Sequence, residues 1–250
     1  MRRVAVLVVL LLFLAAWVGP ARAQTTGLPT LKIGVEDAKG PGDLSIALKV
    51  MLLLTVLSLA PSILIMVTAF TRIIVVLHLL RQAIGTQTAP ANQVIVGLAL
   101  FLTLFVMLPV GREVKQAAFD PYMDKRIGWE EAYERASKPV RTFMLAQVRE
   151  KDLRLMVRSS GIPRPQTMDE IPTYVVVPAF MISELRTAFT IGFLIYMPFL
   201  IIDMVVASVL MSMGMMMLPP IMISLPFKLL IFVLADGWYL IVGSLVQSFQ

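Results

Sequence analysis

Hydrophobic residues in this chain come in long blocks separated by short polar stretches. After a positive start, Met1-Arg2-Arg3, an apolar run covers Val4 to Val18 and leads to Ala21-Arg22-Ala23. Basic start, short apolar centre and small-x-small end predict a signal peptide spanning 1–23, cut after Ala23, in preference to an uncleaved first transmembrane helix, for which the centre is short. Residues 24–43, with Gly27, Pro29, Gly34, Gly40 and Pro41, predict an exposed arm. Four blocks follow: Leu44 to Phe70, Val94 to Val110, Thr187 to Met213 and Met215 to Phe249. Each is close to or above the about 20 residues that carry a helix across a bilayer. The first two are expected to form one helical hairpin, 44–110, and the last two a second, 187–250.

Between the hairpins, 111–186 is polar and expected to be helical. Ser137-Lys138-Pro139 reads as a helix start, because proline suits the first helical position. Val140, Phe143, Met144, Gln147 and Val148 then recur at three- and four-residue spacing, and Gly161 ends the run. No strand-like alternation of any length is present. The pattern predicts an all-α fold of membrane-associated helical hairpins with a helical segment between them. With the mature amino terminus exported, four crossings make 71–93 a cytoplasmic loop and 111–186 periplasmic. Arg72 and Arg81 in that loop, unaccompanied by acid, agree with the excess of basic residues in cytoplasmic loops.

Composition supports the membrane reading: 58% of residues are hydrophobic and 15% charged, against about half and a quarter in soluble domains. A formal net charge of +6 raises nucleic acid as a partner. No basic run interleaves with aromatics, and Arg2, Arg3 and Arg22 fall in the cleaved segment, so nucleic acid is set aside. The chain has no cysteine and one histidine, His78, which excludes disulfides and leaves no basis for a metal centre. Phosphate-binding loops, dinucleotide fingerprints and catalytic pairs are all missing. No cofactor and no enzymatic activity are expected.

The blocks themselves break the rules for plain lipid anchors. Lys49, Asp203, Lys228 and Asp236 are ionisable groups that are costly there unless they meet a partner or water. Pro61, Pro198, Pro219, Pro220 and Pro226 free backbone carbonyls that neighbouring protein must satisfy. Ser244 and Ser248, with Gly243 beside them, suit close helix contact. The blocks are therefore expected to be buried against other chains. Lys228 is expected to pair with Asp203 or Asp236, either between subunits or within one. Glu184 lacks companions for catalysis and reads as a helix-end or subunit contact.

Met211, Met213, Met215, Met216 and Met217 fall within seven residues, with Gly214 among them and Pro219-Pro220 closing the far side. Methionine is adaptable filler for irregular cores. Three in succession cannot all face one core, and the glycine and prolines favour a bend. Repeated around an axis, such a bend would make a deformable apolar collar that excludes water and ions. Both readings stand on the residues alone.

The carboxyl-terminal motif Leu225-Pro226-Phe227-Lys228-Leu229-Leu230-Ile231-Phe232-Val233-Leu234-Ala235-Asp236-Gly237-Trp238 resembles the signature of the flagellar biosynthetic FliP family. So do Ser183-Glu184-Leu185-Arg186-Thr187-Ala188-Phe189, Pro198-Phe199-Leu200-Ile201-Ile202-Asp203, the methionine run closed by Pro219-Pro220, and Thr71-Arg72-Ile73. The resemblance covers Leu44 to Phe249; the arm carries no matching motif. It implies a homo-pentameric ring joined by FliQ- and FliR-type subunits, serving as the type III export gate in the flagellar basal body of the bacterial inner membrane. It further implies FlhA- and FlhB-type export components, exported flagellar proteins and membrane lipid as partners. In such rings the hairpins are largely raised out of the bilayer, so the four simple crossings give way to a different geometry. The family's methionine collar maps onto Met215, Met216 and Met217, and its acidic position onto Glu184. Arg186 stands where lysine is common, with the charge kept. The alternatives are a virulence-type injectisome paralogue, whose members usually lack a cleaved signal, and an ion channel or solute transporter.

Overall fold

The computed structural model describes residues 41–86, 88–163, 165–215 and 219–249. The signal segment 1–23 with Ala23 lies outside the described residues. So do most of the arm, Met216 and Met217. Every regular element described is helical: α1 (Pro41–Met66), α2 (Phe70–Ile84), α3 (Asn92–Val114), α4 (Asp120–Met123), α5 (Trp129–Gln147), α6 (Glu150–Ser159), α7 (Thr173–Ser212), α8 (Pro220–Leu234) and α9 (Gly237–Gln247). A π-helical stretch, Lys115–Phe119, joins α3 to α4 without interruption.

The chain divides into two units, residues 1–53 and 54–250. The first contributes the opening turns of α1. The core lies in the second unit and is organised around α2. Ile73, Val76, Leu77 and Leu80 are at most 2% exposed, at spacings that bring both flanks of the helix into contact. On one side Ile95, Ala99 and Leu102 of α3, Ala188 of α7 and Leu245 of α9 close over it. Towards its end Leu80, Ala83 and Ile84 meet Phe199 and Phe232. A separate cluster joins Met144, Leu153, Ile171 and the first turns of α7, Val175 to Phe180. Gly192 lets α7 approach α2 closely, since a Cβ there would stand 2.2 Å from Leu79 Cδ1. The helix ends at Gly85, whose φ of 89° supplies the left-handed turn, with its N–H donating to Gln82 O.

Five expectations need correction. Residues 71–84 are not a loop: α2 is the most enclosed helix, and Arg72 is 2% exposed rather than solvated. Its burial removes it from the argument for a cytoplasmic loop. The central helix does not start at Ser137-Pro139. α5 starts at Trp129, where Glu130 and Glu131 occupy the first turn and Glu131 pairs with Arg135 at 2.5 Å. Those first turns hold without help from proline, and Pro139 sits buried inside the helix. The run to Gly161 is two helices, broken at extended Val148 and Arg149. The third hydrophobic block does not begin at Thr187, because α7 starts at Thr173 and runs 40 residues through Arg186. Finally, the fourth block is no single rod, since α8 and α9 meet at 65° across Ala235 and Asp236.

Among the described residues, three helices are long and apolar enough to cross a membrane: Leu48–Met66, Asn92–Met123 and Thr173–Ser212. Counting the bent α8–α9 pair as one span makes four. None of the apolar window of α1 is buried, and only 17% and 11% of the windows in α3–α4 and α7 are.

Candidate functional site

Two buried cations organise the second unit, and they draw in most of the charged residues named from the sequence. The first is Lys228 on α8. Its Nζ donates to Asp203 Oδ2 on α7 at 2.6 Å and to Ala83 O in the last turn of α2 at 3.2 Å. Asp203 also accepts from Ser224 Oγ at 2.6 Å, one turn before Lys228. Ser224 is fully buried, Lys228 is 2% exposed and Asp203 about one-third exposed. The ammonium thus meets a carboxylate and a helix carboxyl end, the two features that stabilise a cation away from water. The pairing made in this chain is Lys228 with Asp203. Asp236 lies apart, exposed at the α8–α9 bend with φ of 51°, and makes no ion pair among the described residues.

The second cation is Arg72, near the start of α2. Its Nε donates to Glu184 Oε2 at 2.9 Å, and Nη2 closes a fork on Oε1. Nη2 also reaches Gln147 Oε1 at 2.9 Å, and Nη1 donates to Ser248 O at 2.8 Å and Ser248 Oγ at 3.1 Å. The guanidinium carbon lies 3.8 Å from the centre of the Phe249 ring. Glu184 is fully buried. One planar fork therefore binds α5, α7 and the segment after α9 to α2. A lysine, with one point of charge, could not do this.

Around Glu184 its motif works in both directions. Ser183 Oγ donates to Asp152 Oδ2 at 3.0 Å and accepts the Arg149 N–H at 3.1 Å, filling the break between α5 and α6. Arg186, about half exposed, pairs with the buried Asp152 at 3.2 Å. The structure thus places Glu184 with Arg72, Arg186 with Asp152 in an adjoining set, and Asp203 with Lys228. Arg72, Gln147, Asp152 and Ser224 were not singled out as members. The available signal was an arginine beside the apolar run Ile73 to Leu77, which needs a buried acid. His78 has partners at both ring nitrogens, Ile74 O at 2.9 Å and Asn92 Oδ1 at 3.0 Å.

At the far end of α7, Gly214 takes a φ of 77° and Met215 is 40% exposed. The chain turns there towards α8, whose first helical residue is Pro220. The bend expected from glycine and prolines is present on the described flanks, and Met211 and Met213 project outward at 60% and 67% exposure.

Residues 53–245, which hold Arg72, Glu184, Asp203 and Lys228, match the FliP family. The chain belongs to the FliP family. It is 56% identical over 217 residues to the flagellar biosynthetic protein FliP of Bacillus subtilis, covering 87% of this chain and 98% of that protein. Identity to the FliP of Caulobacter vibrioides is 54% over the whole chain and 92% of the relative. To that of Aquifex aeolicus it is 51%, over 86% of this chain and 91% of the relative. This FliP-family chain is a membrane protein of the flagellar export apparatus.

Proposed function

We propose that the chain is a core subunit of the flagellar type III export gate in the bacterial inner membrane. Copies of it, a pentamer joined by FliQ- and FliR-type subunits, surround a passage for unfolded flagellar proteins. Segment 111–186 faces the periplasm between the hairpins 44–110 and 187–250. Met215, Met216 and Met217 form the gasket at the narrowest point.

The observation that carries this reading is the bareness of the apolar helices. α1 buries none of its window Leu48–Met66 and α7 only 11%, although Pro61, Pro178 and Pro198 interrupt their hydrogen-bond ladders. Carbonyls freed by proline inside an apolar helix need protein neighbours. Around Pro178 the cluster of Val175 to Phe180 supplies them from within the chain, but Pro61 lies on a stretch of α1 that is exposed along its apolar length, so sister chains and partner subunits supply them there. The buried ion pairs act as internal struts that hold the exposed faces in register for assembly. Exposed Asp236 is the remaining candidate for a charged contact between subunits.

The gasket is tested by replacing Met215, Met216 and Met217 together with alanine in cells carrying the assembled gate. Smaller side chains should leave a gap that wets, so ion leakage across the membrane rises while flagellar export persists or falls modestly. Unchanged permeability would remove the gasket role.

A further inference from the structure

Nη1 of Arg72 has its two hydrogen bonds to one residue, Ser248, 176 positions away in sequence. Phe249 covers the flat face of the same guanidinium at 3.8 Å, and its carbonyl accepts from Gln147 Nε2 at 3.3 Å. The Phe249 ring also stacks on Phe143 of α5, with centroids 6.4 Å apart. Ser248 is exposed, and Phe249 is only partly buried where it packs against the core around α2. Their position is set by a buried cation whose remaining donors are already committed to Glu184 and Gln147.

From this arrangement we propose that Arg72 is a positioning residue for the segment after α9, and that seating Ser248–Phe249 on it completes the assembly-competent subunit. Without Ser248 the buried Nη1 has no partner, and a buried unpaired donor on a charged group is among the costlier defects a fold can carry. Without Phe249 the cation loses its ring contact and α5 loses a stacking partner. α9 packs against α2 through Leu245, with Ile241, Val242 and Val246 around it. An unseated end would therefore free the α9 face of the core around α2. The proposal rests on the ring-subunit reading above, and it names the contact that makes one subunit ready to join others.

The test removes the pair and then restores the docking by another route. Arg72→Met with Glu184→Gln eliminates both charges together, so no lone buried ion remains to unfold the chain. Expressed with the partner subunits and extracted in detergent, this variant should yield at least tenfold less assembled complex, while monomer remains in the membrane. The chain has no cysteine, so Gln147→Cys and Phe249→Cys can be added and joined by a short thiol cross-linker. Joining them should restore complex formation; the same variant left unjoined should not. Recovery without joining, or a charge-free variant that assembles like the parent, would overturn the latch. So would a joined variant that still fails to assemble. If the unmodified chain itself is found only as a monomer, the ring reading fails instead, which keeps the two outcomes apart.

Discussion

Lys228 illustrates how a charge is kept inside an apolar assembly. Its ammonium is stripped of water and has two oxygens within reach, of Asp203 at 2.6 Å and of Ala83 at 3.2 Å. Removing one member of such a pair leaves the other uncompensated, at a cost of about 3–5 kcal/mol. Replacing both with neutral groups of like volume is commonly far milder. Lys228→Met should therefore sharply lower the amount of folded chain, and Lys228→Met with Asp203→Asn should recover much of it. The measurement is a thermal shift of purified protein as a double-mutant cycle. A double variant as unstable as the single would show that Asp203 is not the partner that matters. Arg72 and Glu184 obey the same rule, with the added demand that a fork, and not only a charge, sit at residue 72.

At the level of the helix, the bend between α8 and α9 rests on a non-glycine residue in the left-handed region. Asp236 holds φ of 51° and ψ of 48° as the residue before α9. That region is tolerable for Asp and Asn but costs a β-branched residue about 1–2 kcal/mol. The next residue is fixed for a different reason: a Cβ on Gly237 would fall 2.3 Å from the Phe232 ring. Asp236→Asn should leave stability nearly unchanged, and Asp236→Ile should lower it by about 1–2 kcal/mol, read from thermal unfolding in detergent. Equal stability for the two would mean that the 65° turn is not held by this residue. α2 carries the opposite lesson. Its polar ends and two arginines make it look like a connector, yet its burial between α3, α7 and α9 makes it the pillar of the fold.

Across the whole molecule, apolar surface dominates what is left uncovered. Phe101, Phe105, Phe193, Leu194 and Met204 are each at least 64% exposed, along helices long enough to span a bilayer. Patches of this kind have no place in water and mark lipid or protein contact. The chain should remain with the membrane pellet after an alkaline carbonate wash and be released by detergent. Release by carbonate alone would contradict an integral position. Detergent-extracted material should run as a complex much heavier than 27.7 kDa when partner subunits are co-expressed.

Some of this was decided by composition and periodicity alone. Runs of twenty or more apolar residues can satisfy their backbone only as helices, and Pro219-Pro220 after Gly214 can only be a break, so helical class and bend were readable from the chain. The motif Leu225 to Trp238 carried the family. Partner choice was another matter. Whether Lys228 would meet Asp203 or Asp236, and that Arg72 would reach past Glu184 to Ser248, depends on residues 25 and 176 positions apart meeting in space. Sequence spacing determines which face of a helix a side chain occupies. Only packing decides which other face is brought against it, because burial makes an unpaired charge intolerable without saying which counter-charge will be nearest.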